Sequence, residues 1–288
     1  MWFSLAIFSA FLTASQSALT KSFLKKIDKY VLASGIFLSA TVFLLALVLI
    51  QGIPEIKSGF YYFLAGTVAL NFIATVLYLS ALEIIDLSIA DPIISFTPVF
   101  LILTSFIMLR ELPTWGGVCG IILVVFGYYI LNLKKDTDGR YEKSIIKSFK
   151  NRGVLYMLAV AFIYSLSSNL DKLTVRSSNP FFGSAMIYLS LGVLFIIFSI
   201  YKKKNIQVEF RNNMHKFLLM GSFAAMSAIA INTAMLMQIV PYTISLKRTS
   251  MLFSVLMGVI FFKEKNIKEK IAGSAIMLMG VILILFYK

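Results

Sequence analysis

The chain has 288 residues, 59% of them hydrophobic, and a mean hydropathy of +0.87, which is more apolar surface than a water-soluble domain of this size can hide. Its net charge of +14 comes from cations clustered in short loops between apolar runs, which points to membrane topology and anionic lipid headgroups and away from nucleic acid. One cysteine, Cys119, excludes an intrachain disulfide and a cysteine metal cluster, and one histidine, His215, set in a polar loop, argues against a zinc protease or a Ser–His hydrolase.

In chain order, apolar runs of bilayer length predict ten membrane spans, at about 2–22, 30–51, 59–82, 88–109, 114–133, 153–173, 181–201, 216–238, 242–262 and 268–287. The opening "MWFSLAIFSAFL" has no basic start and no small-residue cleavage signal, so it reads as the first span and not as a signal peptide. Helical spacing then places the polar residues on stripes. The first span carries Ser9, Thr13, Gln16 and Thr20, with Lys21 at its end. The third carries Thr67, Asn71, Thr75 and Tyr78. The fourth carries Ser88, Asp91, Ser95 and Pro98, and Ser88 with Asp91 also matches a helix-capping pattern. The fifth holds Gly116, Gly117, Gly120 and Gly127, with Cys119 expected as a packed small residue among them.

A long basic segment, 134–152, follows in the middle of the chain. The sixth span has Ser165, Ser168 and Lys172 on one stripe, with Tyr164 and Asp171 beside it. The eighth leads from Gly221, Ala225 and Ala228 to Asn232. The ninth contains "SLKRTS", where Lys247 and Arg248 stand inside an otherwise apolar run, followed on the same stripe by Ser250, Met251, Ser254 and Gly258. Charge at that depth is costly and marks a functional site unless the side chains snorkel to the headgroups. Many of the Ser and Thr residues are expected to bond back to their own helix and serve packing.

A shift of 153 places Glu111 on Glu264, Gly120 on Gly273 and Gly127 on Gly280, and a shift of 151 places Lys21 on Lys172. The chain therefore divides into 1–133, the linker 134–152, and 153–288, each half with five spans. An odd number of spans per copy inverts the second half, as in many secondary transporters. The loops after the odd-numbered spans hold 20 of the 27 Lys and Arg residues and the opposite loops only five. That bias places the odd-numbered loops in the cytoplasm and both termini outside.

The stretch "LYLSALEIIDLSIADPIISFTPVFLILTSFIMLRELPTWGGVCGIILVVFG" and its second copy, "MQIVPYTISLKRTSMLFSVLMGVIFFKEKNIKEKIAGSAIMLMGVILIL", together resemble the EamA type of the drug/metabolite transporter superfamily. The shared pattern is a short loop, a helix with a central proline, an acidic residue at the next loop and a glycine-punctuated helix. The resemblance implies an all-α bundle of ten helices in two inverted repeats around a central cavity. It also implies peripheral fifth and tenth helices and a small metabolite or drug as cargo. Family members often have Gly-Glu in the loop where this chain has Arg110-Glu111 and Lys263-Glu264, and they usually keep both termini in the cytoplasm, against the charge bias. Pro98 has Met251 as its counterpart, so any kink in the ninth span needs another cause.

The expected function is secondary transport of a small polar or anionic metabolite, amino-acid-like or an organic acid, across the plasma membrane. Substrate contacts are expected from Gln16, Asn71, Thr75, Tyr78, Ser95, Tyr164, Ser168, Asn232, Lys247, Arg248 and Ser250. The topology suggests two charged gates, Lys21–Asp91 and Asp171 with Arg248 or Lys247. Asp91 and Asp171 are the acids near membrane depth that a coupling proton would use; a counter-substrate is the other option. Alternatives are a nucleotide-sugar or lipid-linked solute carrier, and a non-transporting receptor or assembly subunit. No catalytic residue, cofactor, metal or nucleic acid is expected, and the chain reads as a monomer or weak homodimer.

Overall fold

The computed structural model describes residues 1–23, 27–82, 84–85, 93–131, 152–202, 206–253 and 267–287. Among these residues there is no strand, and the principal elements are ten helices. They are α1 (Trp2–Phe23), α2 (Lys29–Gln51), α3 (Phe60–Leu82), α4 (Thr97–Leu109), α5 (Trp115–Leu131), α6 (Arg152–Arg176), α7 (Pro180–Tyr201), α8 (Ile206–Met237), α9 (Val240–Lys247) and α10 (Ile267–Phe286). Each falls on one of the ten apolar runs. α2, α3, α6, α7 and α8 are long and apolar enough to cross a bilayer, and α4, α5 and α10 contain shorter apolar helices. Outward faces are apolar: Leu49, Ile50, Tyr62, Trp115 and Phe286 are all more than four-fifths exposed, as lipid-facing side chains should be.

Local chemistry sets the helix ends. Asp28 accepts the Tyr30 N–H at 3.0 Å to cap α2, and Asn179 accepts the Phe182 N–H at 2.7 Å ahead of Pro180 to cap α7. α4 ends at Arg110, which holds φ at 58°, while its N–H reaches the Phe106 carbonyl and the Glu111 N–H reaches that of Ser105. A left-handed cap is the conformation that glycine adopts without strain, and a non-glycine residue there costs about 1 kcal/mol. Arg110 packs its guanidinium over the Phe106 ring at 5.6 Å. Arg110→Gly is therefore expected to raise stability by about 0.5–1 kcal/mol, read as a higher thermal midpoint of the purified protein.

The helices form two compact units that cut across the sequence halves. One comprises Met1–Phe72 and Leu170–Gln238, the other Ile73–Asn169 and Ile239–Lys288, so α3 and α6 contribute residues to both. In the first unit α2 packs against α7 and α8, and α8 against α1. Val31, Leu32, Ala40, Leu44, Phe217 and Met220 form one buried core, and Phe60, Leu64, Leu191 and Phe195 another. α8 begins ten residues earlier than the apolar run suggests. Its first turns are amphipathic: Ile206 and Phe210 pack on the core and Asn213 is buried, while Arg211 and His215 face out. His215 is thus helical and not in a loop. Asn213 accepts from Lys216 Nζ at 2.7 Å, and the same ammonium lies 5.0 Å from the Phe23 ring of α1.

In the second unit Ala74, Ala81, Ile93, Val154, Met157 and Val160 form the core, and α5 lies along α10. Glycine sets that contact. A Cβ on Gly120 would lie 2.7 Å from the Gly280 carbonyl, and one on Gly280 would lie 2.6 Å from that of Gly120. A Cβ on Gly127 would lie 2.7 Å from the Gly273 carbonyl and 2.6 Å from the Met277 nitrogen. Gly120 and Gly273, and likewise Gly127 and Gly280, are repeat counterparts, so each copy presents the same two glycines to the other. Cys119 lies on the same helix but is exposed. The expectation that it is a packed small residue is overturned, because the glycines, not the cysteine, occupy the inner face.

Candidate functional site

The second unit contains two helix interruptions at repeat-equivalent positions. Residues 93–94 are helical, Ser95 and Phe96 form a turn, and α4 proper starts at Thr97. Residues 240–247 are helical, Arg248 and Thr249 form a turn, and helix resumes at 250. Pro98 explains the first break: it has no N–H to give the Ile94 carbonyl, and the Thr97 hydroxyl bonds that oxygen instead at 2.6 Å. The second break has no proline. There the backbone tightens to three-residue spacing, with Thr249 N–H to the Leu246 carbonyl at 3.0 Å and Met251 N–H to that of Arg248 at 3.2 Å. Hydroxyls bond back on the same segment, Ser245 to the Pro241 carbonyl and Thr249 to that of Leu246, both at 2.6 Å. Such back-bonding bends helices. It supplies the cause that the missing proline does not.

Arg248 links the two breaks. Its Nη2 donates to Thr97 Oγ1 at 3.0 Å, so the Thr97 hydroxyl gives its proton to Ile94 and accepts from the guanidinium. Arg248 is only partly exposed and is directed to a partner within its own unit. Lys247, the last residue of α9, is also partly buried. The Tyr164 phenol on α6 hydrogen-bonds Thr75 on α3 and lies within Coulombic reach of Arg248. Three expected site residues from separate stretches of chain, Thr75, Tyr164 and Arg248, are thus linked beside the broken helices, and Ser95 is buried in the turn of the first break. Tyr78 packs beside them on the Ala74–Val160 core, and Ser250 stands partly buried where the ninth span resumes.

A polar layer that sequence reading missed lies in the same unit. Asn169 is fully buried; it donates to Thr104 Oγ1 at 3.1 Å and to the Ser165 carbonyl at 3.0 Å, and it accepts from Ser105 at 2.7 Å. With both amide hydrogens and the amide oxygen bonded, it is a structural clamp between α4 and α6. The signal for it was an Asn inside an apolar run, which its position off the chosen stripe concealed. Glu111 has an equally definite role: its Oε2 accepts the Val240 N–H, fully buried at the start of α9, at 2.9 Å. The acidic loop residue of the first half therefore caps the broken helix of the second. Glu111→Ala, which strands that N–H, is expected to cost about 1–3 kcal/mol, measured as a lower thermal midpoint in detergent.

The remaining expected residues, Ser168 apart, lie in the first unit or outside what is described. Asn71 donates to the Thr67 carbonyl and to Thr67 Oγ1, both at 3.0 Å, and Thr67 donates to Asp171 at 2.5 Å. Asn232 is buried and donates to Ser184 at 2.7 Å, and Gln16 is partly buried on α1. Ser9 and Thr13 share the Ser227 hydroxyl at 2.8 and 3.0 Å, a packing contact between α1 and α8. Lys172 donates from Nζ to the Gln238 carbonyl at 2.8 Å. Ser168, in the second unit, bonds back to the Tyr164 carbonyl at 2.8 Å, as expected of a packing serine. Asp91, Ser88, Ser254 and Gly258 lie outside the described residues, as does the side chain of Lys21.

Comparison with known proteins agrees with this architecture. The profile of the EamA-like transporter family matches residues 1–133 and again 151–286. An uncharacterized transporter of Archaeoglobus fulgidus is 27% identical over 218 residues, covering 74% of this chain and 72% of that one. A solved crystal structure is similar with a TM-score of 0.80 at 17% identity, covering 99% of this chain and 97% of the other; at that identity it speaks to the fold alone.

Proposed function

This chain belongs to the EamA-like transporter family, and from that premise we propose that it carries a small anionic metabolite, amino-acid-like or an organic acid, by alternating access. It is a multi-pass integral membrane protein and a transporter. The observation that carries the substrate class is the Arg248–Thr97 bond between the two helix breaks. Arginine keeps its charge at any physiological pH and presents a planar fork of donors that fits a carboxylate or phosphate. Thr97 is a neutral acceptor, and a carboxylate makes a charge-assisted bond roughly twice as strong. A carboxylate arriving at the turn therefore displaces the hydroxyl from the guanidinium. Tyr164 and Thr75 supply neutral hydrogen-bonding groups beside that charge.

Alternating access is supported by the two inverted copies and by their equivalent interruptions, since discontinuous helices mark substrate sites in inverted-repeat carriers. The charge bias of the loops supports a plasma-membrane protein with its basic loops in the cytoplasm and both termini outside. The test is a proteoliposome uptake screen of amino acids, organic anions and phosphorylated metabolites. Uptake of a carboxylate that disappears with Arg248→Ala supports the reading. Uptake confined to uncharged solutes overturns it.

A further inference from the structure

Asp171 is an acid at membrane depth that the anion site leaves unused, and we propose that it is the proton-binding group through which transport is coupled to a pH gradient. It goes beyond the substrate reading and does not depend on which anion is carried. Asp171 lies five residues from the end of α6, and Thr67 seven residues from the start of α3. At a rise of 1.5 Å per residue that is about 8–10 Å inside the helix ends. An acid held there is a functional group by default.

The hydrogen bonds around it run one way. Asn71 Nδ2 donates to the Thr67 carbonyl at 3.0 Å, and a carbonyl only accepts, so the orientation of the amide follows from this contact. The same amide donates to Thr67 Oγ1 at 3.0 Å, and Thr67 passes its own proton to Asp171 Oδ1 at 2.5 Å. Thr67 is fully buried. Thr67 thus presents its hydrogen to the carboxylate, and Asn71, bonded to Thr67, holds the hydroxyl in that orientation. The ionised carboxylate accepts this hydrogen and protonation changes the bond, so the Thr67 contact responds to the charge on the acid; a metal ion would need oxygen lone pairs turned inward.

Around the acid, Thr67 and Asn71 on α3 do not titrate. Tyr188 on α7 lies within Coulombic reach of Asp171 and is backed on α2 by Phe37, with 5.4 Å between ring centroids. Lys172, the neighbour of Asp171 on α6, directs its Nζ to the Gln238 carbonyl. The coupling step is a proton transfer with no other reactant. One proton from the aqueous phase on one side forms an O–H bond on the Asp171 carboxylate and cancels its charge. The same proton is released to water on the other side when that bond breaks. Neutralising the acid lowers the cost of moving it through the low-dielectric interior.

The experiment is infrared difference spectroscopy of the full chain in nanodiscs between acid and alkaline buffer, which needs no substrate. Wild type is expected to show a protonated-carboxyl stretch on acidification that Asp171→Asn removes and Asp171→Glu retains at a shifted frequency. Thr67→Val, which keeps the acid but deletes its donor, is expected to move the midpoint of that band. A wild-type spectrum from which Asp171→Asn removes nothing overturns the proposal. So does a midpoint unmoved in Thr67→Val, a variant that decides the matter even where Asp171→Asn does not fold. The anion reading fails separately, in the uptake screen.

Discussion

Arg248→Ala is expected to lower uptake of the transported anion by about thirtyfold or more while leaving the protein folded. The magnitude follows from removing one member of a charge pair shielded from water, which costs about 2–5 kcal/mol, with each 1.4 kcal/mol a factor of ten. Arg248→Lys separates charge from geometry. Lysine keeps the cation but offers a single ammonium in place of a planar fork, so about a tenfold loss should remain. Lys247→Ala serves as the neighbouring control, since the Thr97 contact belongs to Arg248. The measurement is initial-rate uptake into proteoliposomes across a concentration series. An effect in Lys247→Ala equal to that in Arg248→Ala would mean the positive charge of the segment matters and the individual contact does not.

The second large effect concerns the α5–α10 seam. Gly280→Val is expected to abolish accumulation of folded protein, and Gly280→Ala to cost about 1–3 kcal/mol. A Cβ at Gly280 falls 2.6 Å from the Gly120 carbonyl and 2.7 Å from the Val124 nitrogen, and backbone atoms of a packed helix have nowhere to shift. Gly127→Ala should behave alike, because its Cβ also meets backbone on the partner helix. Cys119→Val, on the exposed face of α5, should lie within about 0.5 kcal/mol of wild type. Size-exclusion profiles and thermal midpoints in detergent compare the four variants. If Gly280→Ala and Cys119→Val melt together, close glycine packing is not what holds this seam.

The sequence is most informative where its signal is one-dimensional. Ten apolar runs became ten helices because a bilayer imposes both the length of a span and its apolarity. The copies at a shift near 153 were legible because Gly120 and Gly273, or Gly127 and Gly280, must be glycine for the helices to approach. Where the reading fell short, the missing information lay off the apolar stripe. The first turns of α8 carry Arg211 and His215 outward, so an apolarity window sees a loop where Ile206, Phe210 and Phe217 dock a helix. Cys119 has glycine neighbours in sequence, but helical geometry turns it roughly a quarter-turn away from Gly120 and Gly127, to an exposed position.

By itself, the sequence determined that this is a membrane protein of two inverted five-span copies, with Lys247 and Arg248 set in the ninth span. Hydrophobicity and repetition are properties of a chain before it folds, and the bilayer converts them directly into helices. Only the tertiary structure decided that Arg248 reaches Thr97, 151 residues away, that Glu111 caps the broken helix of the other half, and that each contact unit draws on both halves. The physical reason is that a buried guanidinium, carboxylate or backbone N–H takes its partner from whatever folding brings within about 3 Å. That proximity between distant segments leaves no periodic trace along the chain.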